Sequence, residues 1–249
     1  MKQTLVFLFT LFCLINIQAQ GDAFQTKKGD LTVHPILHAT MVLEWDGKTI
    51  FVDPYGGAER LADFGDPDIV IITDIHGDHM NKETLEALNL TNTDLIAPKA
   101  VVDELAGITF RKTYEIANGK KAKVQGIKAR AIPMYNLPET PDSRHPKGRG
   151  NGYVLDFAKT TVYLSGDTED IPEMRSLKKI NIAFVCMNLP YTMDEEQAAS
   201  AVAEFKPDVV FPYHYRGGGG KLSDLEKFKS LVNAGGVETQ VRIRDWYKE

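Results

Sequence analysis

A chain of 249 residues is long enough for one large core or two modest ones, and its 43% hydrophobic and 25% charged content is ordinary for a globular protein. The formal charge of −5 excludes a general nucleic-acid surface, so any anion-binding site has to be local.

Residues 1–19 read as a signal peptide. Lys2 precedes an apolar stretch over residues 5–17 that ends in Gln18-Ala19-Gln20, which places cleavage after Ala19, and the stretch is too short for a comfortable membrane span. The sequence therefore predicts an exported protein, periplasmic or secreted, with no stable membrane span after cleavage. Cleavage would leave Cys186 as the only thiol, flanked by Phe184 and Val185 as a buried core residue would be.

After the leader, residues 31–37, 40–45 and 48–53 read as strands, with Asp46-Gly47 as a two-residue hairpin turn between the last two. Pro54 stops the third and leaves Asp53 at its lip, where the carboxylate either orients a ligating side chain or caps a turn. The run 69–72 is short, β-branched and without polar breaks, as in a strand buried on both faces. Directly behind it stands Thr73-Asp74-Ile75-His76-Gly77-Asp78-His79, a packet with four potential metal ligands: Asp74, His76, Asp78 and His79. Two carboxylates and two imidazoles crowded at a strand end would repel and resist desolvation unless a cation offset them. Their number exceeds what one tetrahedral ion needs and suits a division between two adjacent ions.

A helix is expected over 82–88, a strand at 95–97 and a helix over 100–105. Between residues 108 and 134 the pattern turns to short alternating strands, seen at 121–124 and 127–132, which suggests an antiparallel part of a sheet. Residues 135–152 carry three prolines and three glycines, which preclude a long helix or central strand. Arg144, His145, Lys147 and Arg149 concentrate positive charge in that loop, which is either a solvated surface segment or a lid adding an anion-binding edge to the site.

The second half repeats the logic of the first. A hairpin is expected at 153–157 and 161–164, and Ser165-Gly166-Asp167-Thr168 puts another acid at a strand end. Residues 182–187 read as a buried strand, Thr192-Met193-Asp194-Glu195 as a capping box opening a helix to residue 205, and 209–215 as a strand delivering His214 at its tip. A helix at 223–232 and a strand at 239–243 close the chain. Alternating strands and helices with polar strand ends favour one layered α/β sandwich over two independent domains. The glycines of Gly217-Gly218-Gly219-Gly220-Lys221 lack the context of a phosphate loop, because Leu222 follows Lys221 and the preceding strand already ends in His214.

Taken together, Asp53-Pro54, Asp74-x-His76-x-Asp78-His79, Gly166-Asp167-Thr168 and Tyr213-His214-Tyr215 resemble the metallo-β-lactamase-fold hydrolases. More narrowly, His38-Ala39-Thr40 and Pro190-Tyr191-Thr192-Met193 resemble the ascorbate-6-phosphate lactonase-like branch. The resemblance covers about residues 31–216 and implies a four-layered αββα sandwich, with residues 20–249 read as one domain. It implies one metal site from Asp78, His79 and His214, with Asp167 bridging to a second. That second site departs from the pattern, since Asp74 stands where the family opens with His, and Met134-Tyr135-Asn136 stands where it supplies a further His. Asp74, His76 and Asp167 are thus expected to be completed by Asn136 or by His145. The expected cofactor is zinc, one or two ions per chain, although an oxygen-richer set also suits iron or manganese.

The expected chemistry is hydrolysis by a coordinated water whose pKa the metal lowers from about 15.7 toward 7. Asp78 or Asp167 would hold or accept its proton. His38, at the rim by resemblance, either positions substrate and stabilises developing charge or is a satisfied core histidine. The basic loop and Arg216 point to a small anionic ester, lactone or phosphoester, with no nucleic-acid partner. The departures at Asp74 and Asn136 leave open a catalytically reduced, metal- or ligand-binding protein on the same scaffold.

Overall fold

The computed structural model describes residues 21–140 and 142–248; the predicted leader, residues 1–19, lies outside them. One sheet takes β1 (Asp22–Thr26), β2 (Gly29–Leu37), β3 (Thr40–Trp45), β4 (Lys48–Val52), β5 (Ile69–Ile71), β6 (Asp94–Ala97) and β7 (Lys112–Glu115) in chain order, antiparallel as far as β4 and parallel beyond it. Between its parallel strands lie α1 (Lys82–Glu86) and α2 (Lys99–Glu104).

The second sheet repeats the plan. β8 (Lys121–Val124), β9 (Ile127–Met134), β10 (Gly150–Phe157) and β11 (Thr160–Leu164) are antiparallel, while β12 (Ile182–Cys186), β13 (Val209–Tyr213) and β14 (Gln240–Val241) run parallel to β11. It is accompanied by α3 (Pro172–Arg175), α4 (Glu195–Phe205) and α5 (Leu225–Ala234).

Two-residue alternation sorts the side chains into layers. Ile50, Val52, Ile69 and Ile71 join Tyr153, Leu155 and Phe157 in a core shared by the two sheets, and the Trp45 and Phe157 rings meet there edge to face at 5.4 Å. The intervening Phe51, Val70 and Ile72 face outward onto Leu85 of α1 and Val101 of α2. On the second sheet Tyr163 packs against Phe205 of α4. The result is an αββα sandwich, as the resemblance implied. Truncating Phe157 to alanine would cost about 3–5 kcal/mol, because both sheets close on it.

The Asp46-Gly47 turn forms as predicted, both residues taking the positive φ that such a hairpin demands. Other local expectations are corrected. The cap of α4 is Asp194, boxed with Gln197, and the Thr192 hydroxyl bonds Asn188 instead. The last strand shrinks to Gln240–Val241, β1 and α3 were not anticipated, and β7 was not placed within the strand-rich stretch of 108–134. Cys186 is fully buried in the core, which pushes its thiol up to about 11.

The sheets are stitched together at one edge. Asn151 N donates to Thr73 O at 2.9 Å, and the Tyr153 hydroxyl donates to Ile72 O at 3.2 Å. Gly150 permits this approach, since a Cβ there would lie 2.9 Å from Thr73 O and 2.4 Å from the Met134 side chain. No helix among the described residues is long and apolar enough to cross a membrane.

Candidate metal centre

Five of the chain's six histidines, His38, His76, His79, His145 and His214, gather at that stitched edge; the sixth, His34, pairs with Glu44 elsewhere. Four of them, with Asp167, arrive on strand ends: His38 after β2, the 73–79 packet after β5, Asp167 after β11 and His214 after β13, while His145 comes from the loop between β9 and β10. Two of these lips and that of β4 are left-handed, with φ of 53° at His38, 46° at His214 and 44° at Asp53. Non-glycine residues held there typically store about 1–3 kcal/mol each, a strain that clusters at functional sites. Backbone pairing fixes two of them, since His214 N donates to His38 O at 3.2 Å.

Asp53 resolves its open alternatives in favour of orientation. It accepts from Thr73 N and Oγ1 at 2.7 Å each, and from His79 Nδ1 at 2.9 Å. The Nδ1 proton is thereby committed, and His79 Nε2 is turned toward Asp167 Oδ2 at 3.4 Å. Asp167 Oδ1 lies 3.5 Å from His214 Nε2, which stands 3.2 Å from Asp78 Oδ2. Asn188, which sequence reasoning missed, places its amide 3.4 Å from the His214 ring.

The second group is Asp74, His76 and His145. His145 is fully buried, 3.2 Å from Asp167 Oδ2 and 3.9 Å from Asp74 Oδ2. Asn136 is not a member, contrary to one of the two expectations. Its Oδ1 accepts from His145 N at 2.8 Å and faces His145 Nδ1 at 3.1 Å, while its Nδ2 donates to Tyr191 O at 2.8 Å. Asn136 thus holds the loop histidine by its inner edge and leaves Nε2 facing the acids.

The rest of the 135–152 loop divides. Lys147 pairs with Glu139 and Glu173 outside, whereas Arg149 reaches in to Asp74 with two contacts of 3.3 and 3.2 Å. This Arg149–Asp74 pair was not anticipated, because only the loop's net charge was visible in sequence. Arg216 stacks 3.9 Å over the Tyr247 ring and is not a ligand; Tyr247 in turn meets His38 Nδ1 at 3.1 Å.

Acids and imidazoles hold one another away from their ordinary titration ranges. Burial alone would raise Asp167, yet His214, His79 and His145 hold it well below the usual carboxylate range. Burial would lower His79, but Asp167 and Asp53 hold it well above 6.5. Asp78 is likewise held down by His214 and His79 against its own desolvation. His38 goes the other way, to about 4, from burial and from His214, with Arg216 adding to it. Asp53, Asp74, Asp78 and Asp167 thus crowd a cluster of imidazoles, with the Arg149 guanidinium in contact with Asp74. Buried His79 Nε2, His145 Nε2, His76 Nδ1 and Asp167 Oδ1 have no hydrogen-bond partner, and although His76 Nδ1 lies 2.6 Å from Asp74 Oδ2, the angles do not make a hydrogen bond. Unpartnered buried donors and acceptors of this chemistry fit divalent cations. His79, His214, Asp78 and Asp167 could hold one, and Asp74, His76, His145 and Asp167 a second.

A double-sheet sandwich with carboxylates and imidazoles collected on one edge defines a metallo-β-lactamase-fold protein. The chain belongs to the family described as the beta-lactamase superfamily domain, which matches residues 32–214, and it stands with the metal-dependent hydrolases of that superfamily. A UPF0173 metal-dependent hydrolase of Methanopyrus kandleri is 27% identical over 215 residues, 83% of this chain and 93% of that one. A crystal structure from Parabacteroides distasonis, assigned as a metal-dependent hydrolase, shares 38% identity with a TM-score of 0.79, over 90% of this chain and 98% of that one. Igni18, a metallo hydrolase from Ignicoccus hospitalis, shares 25% identity with a TM-score of 0.74, over 88% and 96%.

Proposed function

We propose that the protein hydrolyses a small anionic ester, lactone or phosphoester at this edge, with zinc as the resident ion and iron or manganese as alternatives for the oxygen-richer Asp74 group. The observation that carries the reading is Asp167, a buried carboxylate within 3.5 Å of His79, His145 and His214 at once, whose Oδ1 has no hydrogen-bond partner. Divalent ions bound here would polarise the substrate oxygen and lower the pKa of a coordinated water.

The chain's own groups do the remainder. Asp167 links the two clusters and fixes their separation. Asp78, with 35% of its side chain exposed, is the cluster acid that meets solvent, and its carboxylate accepts the proton that the attacking water releases. His38 stays neutral at ordinary pH, so its ring can donate to developing negative charge at the rim without adding a cation. Arg216 and the basic loop supply the attraction for an anionic substrate. The likeness to the ascorbate-6-phosphate lactonase-like branch is the reason lactones stand among the candidates. We further infer that residues 1–19 direct export, which fractionation of cells expressing the whole chain would test.

The hydrolase reading is tested by assaying metal-supplemented protein on lactone, carboxylic ester, phosphodiester and β-lactam panels beside His79→Ala and Asp167→Ala. Turnover of one class that vanishes in both variants is the expected result. Turnover that survives both would exclude the reading.

A further inference from the structure

All three large hydrophobic side chains that stand exposed among the described residues, Leu137, Leu189 and Leu222, lie on loops at the metal-site edge. Apolar side chains scattered singly over a surface need no explanation, but these are not scattered. Leu137 follows Asn136, which holds His145, and Leu189 follows Asn188, which lies against His214. Leu222 bridges to Arg216, two positions beyond His214. The loops are also bonded to one another: Asn136 Nδ2 donates to Tyr191 O, and Gly218 N donates to Leu189 O, both at 2.8 Å.

The same rim carries two guanidiniums. Arg144 lies 4.5 Å over the Tyr191 ring and Arg216 lies 3.9 Å over the Tyr247 ring. Each is oriented by an aromatic face, and among the described residues neither has a carboxylate within ion-pair distance, so their charge remains available to a ligand. Leucines and unpaired guanidiniums on neighbouring loops at the mouth of a hydrolytic centre complement a molecule with an apolar part and an acidic part.

We propose that the substrate is an amphiphilic anion: a carboxylic ester or lactone with a hydrocarbon portion laid along Leu137, Leu189 and Leu222 and an acidic group met by Arg216. The proposal rests on the hydrolase reading for its reaction, in which water adds to the acyl carbon and the C–O bond breaks. The products are a carboxylic acid and an alcohol, or a hydroxy acid from a lactone, and the acid's proton leaves to solvent. The rim itself is a binding statement and can be measured without turnover.

The experiment titrates the protein, as purified with its metal, with straight-chain carboxylates from acetate to decanoate below their micellar range, by calorimetry. Affinity is expected to rise about two- to fourfold per methylene over the first several carbons. The leucines are exposed, so the triple variant Leu137→Gln, Leu189→Gln, Leu222→Gln keeps the fold, which an unchanged circular dichroism spectrum and melting temperature would verify, and it should flatten that slope. Leu189→Met should preserve the slope. Arg216→Gln should weaken every carboxylate by a similar factor while leaving the slope intact, which separates head from tail. A flat series in the wild type, a slope that persists in the triple variant, or a dimer in sedimentation that the triple variant dissolves would each overturn the proposal. If the slope holds but no ester of any chain length is hydrolysed, the hydrolase reading fails and the rim stands. If esters are hydrolysed at rates independent of chain length and the carboxylates bind flatly, the reverse is true.

Discussion

The His79–Asp167–His214 group stands on strand ends, whereas the Asp74–His76–His145 group borrows one of its three members from a loop. In the first, His79 is locked by Asp53 at 2.9 Å and all three side chains are almost wholly buried, at 0%, 5% and 2% exposure. In the second, His76 is 23% exposed, His145 depends on Asn136 for its aim, and Asp74 already spends part of its charge on Arg149. Two sites a few ångströms apart thus differ in preorganisation. The first is predicted to hold its ion tightly and the second to fill later and empty sooner.

The hardest blow to both sites at once is removal of the carboxylate between them. Asp167→Ala, with Asp167→Asn as the variant that preserves shape, should abolish metal binding at both groups and lower turnover at least about a thousandfold, since several kcal/mol of charge stabilisation depends on the ions. Elemental analysis beside kinetics checks it. Stripping metal with a strong chelator should also destabilise the fold. An ion present at about a thousand times its dissociation constant contributes about 4 kcal/mol, which for a chain of this size corresponds to a melting-temperature loss on the order of 10 °C. Calorimetry should show that loss in two steps, one for each group.

His145→Ala separates the groups. One metal equivalent should be lost and one retained, with the melting temperature falling by less than under full stripping; loss of both equivalents would mean that the loop histidine supports the strand-end group too. Asp53→Asn is the mirror experiment, because it leaves every ligand in place and removes only the charge that orients His79. Metal affinity of the strand-end group should weaken about ten- to a hundredfold, with stoichiometry at saturating metal unchanged. Competition titrations with a chromophoric chelator read this directly.

The same asymmetry governed what the sequence could reveal. The 73–79 packet was legible because its ligands are contiguous and follow a run of β-branched residues, and Asp167 and His214 because each closes a buried strand. His145 remained one of two alternatives because a loop of prolines and glycines carries no periodicity from which its direction could be read. Asn136 resembled a ligand for the same reason, being next to a strand end, and only its bonds to His145 show it to be a support. The edge strand β7, Lys112–Glu115, hides because its side chains are mostly exposed and lack the apolar alternation of a half-buried strand. Thr192 matched a capping pattern as well as Asp194 did, and the contest was decided by Asn188, which takes the Thr192 hydroxyl.

Anomalous diffraction from crystals of the active protein, recorded on both sides of the zinc, iron and manganese absorption edges, tests the central claim most directly. The account predicts a fully occupied peak in contact with His79 Nε2, His214 Nε2 and Asp167, and a weaker one beside Asp74, His76 and His145. An active enzyme whose crystals show no anomalous density between these residues would contradict it.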